Sequence, residues 1–282
     1  MNADDFGLTA GVNRAIAELH AAGVVTSTSV MARAGATDEA IAMACSTPTL
    51  GVGCHVVLVD GEPTLPHHQV PTLVDRRTGS FYPTLTTFLP RLLTGRIRLT
   101  EIEAETRAQI EILLDKGLHL THIDTHKHTH MFPAVLRTVL RAARTYGIRA
   151  VRKPFEPRWS LRVTIGAPWL RLAQVGALRF LEPGCHRIIH EEGFSTTDGT
   201  IAVAGTGSLD AATLRSLLQQ LPAGTWELVT HPGYNDADLA RVRTRLRESR
   251  DIERSALAVL KEFPGINLVS FASLTGARFL SP

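Results

Sequence analysis

Cysteine is scarce. Cys45, Cys54 and Cys185 are the only three in 282 residues, and no Cys-x-x-Cys pair occurs. An odd, scattered set excludes a disulfide framework and a thiolate zinc site, and it fits a reducing compartment. Aromatic residues make up 6% and form no stripe interleaved with basic side chains, so no nucleic-acid face is expected. Charge of one sign is also lacking, with 30 Lys plus Arg against 27 Asp plus Glu. The densest basic stretch, Arg241, Arg243, Arg245, Arg247 and Arg250, reads as a solvated helix face. No apolar run reaches the roughly 18 residues of a membrane span and no charged-then-apolar leader opens the chain, so the expected location is the cytoplasm. What is left is a chain with 44% hydrophobic residues, of ordinary globular composition and a length that suits one barrel-sized domain over residues 1–282.

Short β-rich runs alternate with helical ones. Val12, Ile16 and Leu19 share a helical face that Gly23 ends. Strands are expected at Val24–Val30, Leu50–Val59, Leu120–His126, Ile148–Val151, Trp226–Thr230 and Ile266–Phe271. Helices are expected at Asp38–Ala44, after a Thr100/Glu103 capping box, and at Pro133–Tyr146, Leu209–Leu221 and Ile252–Phe263. This alternation predicts an α/β fold with parallel strands. Gly61–Ser80 and Lys153–Thr206 read as long loops. Asn2–Phe6 is so polar that a first strand is expected before residue 1, as if the start were truncated.

Four places carry chemistry: Asp4–Asp5 before a glycine, His55 after an apolar run, Thr121–His130 (THIDTHKHTH), and His231 before Pro232–Gly233. An Asp pair beside Gly reads first as a turn. His122, Asp124, His126, His128 and His130 fall on alternate positions, so extended chain would present all of them on one face. That face reads as a divalent-metal site rather than core, because so much polarity would be buried unpaired. His55, His126 and His231 each lie at or past the C-terminal end of an expected strand, where parallel α/β folds build their sites. One carboxylate and two imidazoles would leave open positions on a metal, the pattern of a catalytic site. A second carboxylate could take a proton from water and a separate His could protonate a leaving group.

At these residues the sequence resembles the YdjC/ChbG family of carbohydrate deacetylases. The motifs are Asn2–Ile16 (NADDFGLTAGVNRAI), Val25–Met31, Gly51–Pro63, Thr121–Pro133 and Thr230–Tyr234 (THPGY). Leu58–Pro66, Val70–Asp75 and Val151–Pro157 are most similar to the hopanoid-biosynthesis branch, HpnK. The resemblance implies an irregular TIM-like (β/α) barrel, about seven strands rather than the regular eight. It implies metal-dependent removal of N-acetyl groups from amino sugars. Asp5, His55 and His126 would be the metal ligands, Asp4 the general base and His231 the general acid. His128 and His130 would lie behind these or face substrate, and Arg152 would meet the sugar or orient Asp4. The ligand types favour Zn²⁺ or a related transition metal, whereas Mg²⁺ is often named for the family. The branch implies an N-acetylglucosaminyl hopanoid as substrate. Leu161–Leu181, apolar with interspersed Arg, is expected to pack on the barrel, the alternative being peripheral membrane contact. Two other functions fit the same residues: a metallophosphoesterase on a similar barrel, and a sugar or lipid binder without turnover.

Overall fold

The computed structural model describes residues 1–275. Six parallel strands form one curled sheet, a half-barrel: β1 (Asn2–Phe6), β2 (Ser27–Val30), β3 (Gly51–Val56), β4 (Leu120–Thr125), β5 (Gly199–Ile201) and β6 (Trp226–Thr230), in the order β4-β3-β2-β1-β6-β5. Beyond β4 the pairing continues only as single bridges, Ile123 to Val151 and Ala150 to Ser195. The strand expected at Ile148–Val151 is therefore reduced to bridges, and the seven-strand barrel is corrected to this six-stranded sheet. Helices cover the outer face, as parallel strands require. Val12 and Ile16 of the helix Ala10–Ala21 and Val135, Leu136, Val139 and Leu140 of Pro133–Thr145 are fully buried on it.

The segment read as too polar for a strand takes its place in the sheet. Asn2–Phe6 is itself β1, buried throughout and paired with β2 and β6. Its polarity misled because these side chains face one another inside the site. Three expectations fail. The helix Leu99–Asp115 starts at the Arg98 cap without a side-chain bond, and a capping box forms instead between Thr84 and Thr87. Residues 153–206 are not a loop: they carry the helices Arg158–Val163, Trp169–Leu178 and Glu182–Glu191 as well as β5. Ile266–Phe271 forms no strand; Phe271 opens a 3₁₀ turn and stacks on the His122 ring at 4.0 Å. Residues 61–80 do run without helix or strand. Their backbone is held by two buried carboxylates: Glu105 accepts from the amides of Thr64 and Leu65, and Glu101 from that of Thr72.

Candidate metal centre

The site forms at the C-terminal ends of β1, β3, β4 and β6. In a regular strand Asp4 and Asp5 would point to opposite faces. Here β1 advances three residues, Ala3 to Phe6, while β2 advances two, Thr28 to Val30, which is a β-bulge. Asp5 sits at φ +65°, a left-handed conformation that non-glycine residues rarely adopt. The bulge brings both carboxylates into one buried cluster.

Asp5 Oδ1 lies 3.4 Å from His55 Nε2 and 3.3 Å from His126 Nδ1, and these two nitrogens are 3.3 Å apart. The oxygen is buried yet makes no hydrogen bond of good geometry. Ligand atoms at about 2.0–2.1 Å from a tetrahedral ion are separated by about 3.3–3.4 Å. The three donors thus match one face of such a polyhedron, and the Asp/His/His set suits a divalent ion. His55 is oriented from behind: its Nδ1 donates to Asp124 Oδ1 at 2.8 Å, its register partner on β4, leaving Nε2 turned to Asp5 and His126. Burial alone would lower the His55 pKa, but Asp124 and then Asp5 override it and hold it at about 10. Burial works against the Asp5 charge too, yet Arg250 and the two imidazoles keep its carboxyl well below the usual carboxylate range.

A second cluster, Asp4, His55 and Asp124, also has metal-like spacing. Its cation is already present as Arg152, whose side chain is fully buried. Its Nη1 and Nη2 donate to the two oxygens of Asp4 at 2.7 and 2.6 Å, and it reaches Asp124 at 2.8 Å and Glu227 at 2.7 Å. Burial pushes Glu227 up despite Arg152. Arg152 is sealed from solvent, so of the two roles expected for it the geometry supports only the orientation of Asp4. Asn2 Nδ2 and Arg152 Nη2 donate to Asp4 Oδ1, while Oδ2 accepts from Arg152 Nη1 and also faces His231 Nε2 at 3.8 Å. His231 follows β6 directly, and its amide donates to Glu253 Oε2 at 2.7 Å.

The alternating face expected for Thr121–His130 stops at Thr125. Lys127 and His128 adopt consecutive left-handed conformations, φ +54° and +52°, inside a 3₁₀ segment. His122 and His130 are fully buried hydrogen-bonders rather than ligands. His122 Nε2 meets Asn2 Oδ1, and His130 bridges Thr125 Oγ1 and the Arg152 carbonyl. Burial pushes each down to about 3. The premise that such polarity could not be core is therefore corrected: both rings are paired. His130 does not face the site opening, while His128 is half-buried with an unpartnered Nδ1 and is held neutral chiefly by burial.

Arg250 was not anticipated. It belongs to the arginine run read as solvated, yet it is buried and ion-paired with Asp5 Oδ2. The helix Arg247–Ala256 begins before the expected Ile252 and turns Arg250 and Glu253 inward, and nothing in a single basic run distinguishes that residue. Ser29, which donates to Asp124 Oδ2 and touches His55 Nδ1, also carried no signal.

A family model described as YdjC-like protein matches residues 1–261. The chain belongs to the YdjC-like family. A carbohydrate deacetylase of Brevibacillus brevis is 33% identical over 97% of this chain and 98% of its own. One from Thermoanaerobacter pseudethanolicus is 28% identical over 91% of this chain and 89% of its own. The crystal structure of a protein from Enterococcus faecalis assigned to cellobiose-phosphate cleavage superposes with a TM-score of 0.75, at 27% identity and 97% coverage of both chains. A lactam utilization protein of Thermus thermophilus, 14% identical with a TM-score of 0.51, shares the fold alone.

Proposed function

We propose that the protein is a metal-dependent carbohydrate N-deacetylase, hydrolysing the N-acetyl group of an N-acetylglucosamine-type sugar. The observation that carries this reading is the triangle of Asp5 Oδ1, His55 Nε2 and His126 Nδ1, with a second carboxylate and a third imidazole beside it. Family membership and the deacetylase relatives support the reaction class. Asp5, His55 and His126 hold one divalent ion, Zn²⁺ or a related transition metal by ligand type, with Mg²⁺ the alternative from the family. When bound, the ion supplies Lewis acidity toward the acetamide oxygen and toward water.

The remaining work falls to the chain's own side chains. Asp4 is the general base: Arg152 fixes its plane by donating to both oxygens, and Oδ2, which also faces His231, takes a proton from water through its second lone pair. His231 is the general acid that delivers a proton to the departing amine, its position set by Glu253. His128, neutral and with a free nitrogen, faces the substrate. The finer substrate is an N-acetylglucosaminyl hopanoid, supported by the HpnK-like stretches Leu58–Pro66, Val70–Asp75 and Val151–Pro157. A lipid-linked substrate fits peripheral contact with the inner face of the membrane. Trp169, Leu170, Phe180 and Ile165 are solvent-exposed, and no helix among the described residues is long and apolar enough to span.

Metal-loaded protein incubated with N-acetylglucosaminyl compounds, hopanoid glycosides included, is expected to release acetate. His126→Ala should lose metal and acetate release together; Asp4→Asn should keep the metal and lose rate by about 10²-fold or more. Acetate release from metal-free His126→Ala sinks the mechanism. Phosphate release from phosphoesters would favour the metallophosphoesterase reading, and ligand binding without acetate release the non-catalytic one.

A further inference from the structure

We propose that Asp60 and Lys127 form a latch that aims the metal ligand His126, which makes both of them positioning residues for the metal centre. The inference rests on His126 being a ligand, as in the proposed function.

The three ligands are not held alike. Asp5 is fixed from behind by Arg250, and His55 by Asp124. The side chains of both are buried, whereas that of His126 is 21% exposed. Its ring nitrogens meet only His55 and Asp5 among the described residues, so no outer partner orients it. Its aim therefore depends on the backbone that carries it.

That backbone is strained. Lys127 and His128 follow in consecutive left-handed conformations, φ +54° and +52°. Each has a β-carbon that disfavours this region, so the turn persists only where its surroundings enforce it. Downstream it is closed by Thr125 Oγ1, which accepts from the His130 amide at 3.0 Å. At its tip Lys127 Nζ donates to Asp60 Oδ2 at 2.6 Å and to the Pro83 carbonyl at 3.4 Å. Asp60 is fixed in turn. It too is left-handed, at φ +59°, and its amide donates to the Tyr82 carbonyl at 2.9 Å. Three residues earlier, Gln109 bonds both the amide and the carbonyl of Val57. The pair thus ties the chain leaving β3 after His55 to the chain leaving β4 through His126. Arg243 also faces Asp60, from 3.8 Å, but is largely exposed and adds little.

Titration with Co²⁺, followed by its visible absorption, reads metal affinity and ligand geometry without turnover. Asp60→Asn removes the charge and suits the left-handed backbone, which Asn adopts readily. Asp60→Asn and Lys127→Met should each raise the Co²⁺ Kd by roughly tenfold, as loss of an outer partner does, and should alter the cobalt spectrum. Charge alone would act oppositely in the two variants, because losing a carboxylate weakens a cation site and losing an ammonium strengthens it. Lys127→Gly should stay within about threefold of wild type, because glycine takes the turn without strain and needs no latch. Both side chains are partly exposed, 19% for Asp60 and 31% for Lys127, so circular dichroism should show all three variants folded.

Wild-type Kd and spectrum in Asp60→Asn and Lys127→Met overturn the latch. So does tighter binding in Lys127→Met, or a loss in Lys127→Gly equal to that in Lys127→Met. Undiminished Co²⁺ binding by His126→Ala would instead refute the ligand assignment, and the latch with it.

Discussion

Asp5 Oδ2 is taken by the Arg250 guanidinium, while Oδ1 is turned to two imidazoles that it meets at 3.3–3.4 Å without a good hydrogen bond. His55 answers from the other side, clamped at Nδ1 by Asp124. This sets the pH behaviour of the metal-free protein. The His55 pKa rises from about 6.5 in the unfolded chain to about 10 in the fold. A raised folded value contributes stability that is complete below about pH 6.5 and is lost as pH climbs through about 10. The metal-free protein should therefore melt at lower temperature as pH rises from 7 to 10, followed by circular dichroism. Metal affinity should run the opposite way, since the proton on Nε2 competes with the ion. Metal affinity that is flat across this range would show that His55 is not a ligand. At this scale the sequence was a good guide to residues at strand ends: Asp4, Asp5, His55, His126 and His231 all meet in one cluster. It was a poor guide to His122 and His130, because a period-two pattern counts positions and cannot show that Asn2, Thr125 and the Arg152 carbonyl lie waiting across the chain.

Among the elements, β3 shows how a missing side chain builds the site. The His122 ring occupies the space beside Gly53: a Cβ on residue 53 would fall 2.5 Å from its Cε1 and Nε2. The ring cannot swing aside, since Phe271 stacks on it and Asn2 holds its Nε2. Gly53→Ala should destabilise the protein by roughly 1–3 kcal/mol, the usual cost of overpacking, and it should weaken metal binding through His55, two residues on. A urea titration with parallel metal analysis checks both; an unchanged midpoint would mean that His122 has room to relax. Strands and helices with strong periodicity, such as Trp226–Thr230 and Pro133–Thr145, fell where the sequence placed them. The segment 153–206 did not, because its helices are short, joined through Thr164–Pro168, and stabilised by distant contacts. An example is buried Glu156, which accepts from Ser160 and from the amides of Ala202 and Ala204.

The whole molecule carries a patch that its core does not explain. On the helix Trp169–Leu178 only Val175 is buried, whereas Trp169 and Phe180 are 78% and 76% exposed. Trp169 opens the helix and Phe180 lies in the 3₁₀ turn, Arg179–Leu181, that follows it. Packing of this segment on the barrel is thus only partial. Between Arg158 and Arg187 there are five arginines and one glutamate, Glu182, a balance suited to anionic lipid headgroups. The protein is expected to co-sediment with anionic liposomes at low salt, and Trp169→Glu with Phe180→Glu should abolish this. Recovery of the wild-type chain entirely in the supernatant would remove membrane contact from the reading.

The one-residue bulge in β1 has a consequence for variation across homologues. Asp4 and Asp5 serve different neighbours only because a single extra residue lies between two paired stretches of backbone. Adding or deleting a residue between Asn2 and Phe6 would exchange inward and outward for everything beyond that point. Side chains along this strand can drift, but its length has one permitted value, and gaps in aligned relatives should fall anywhere before they fall there.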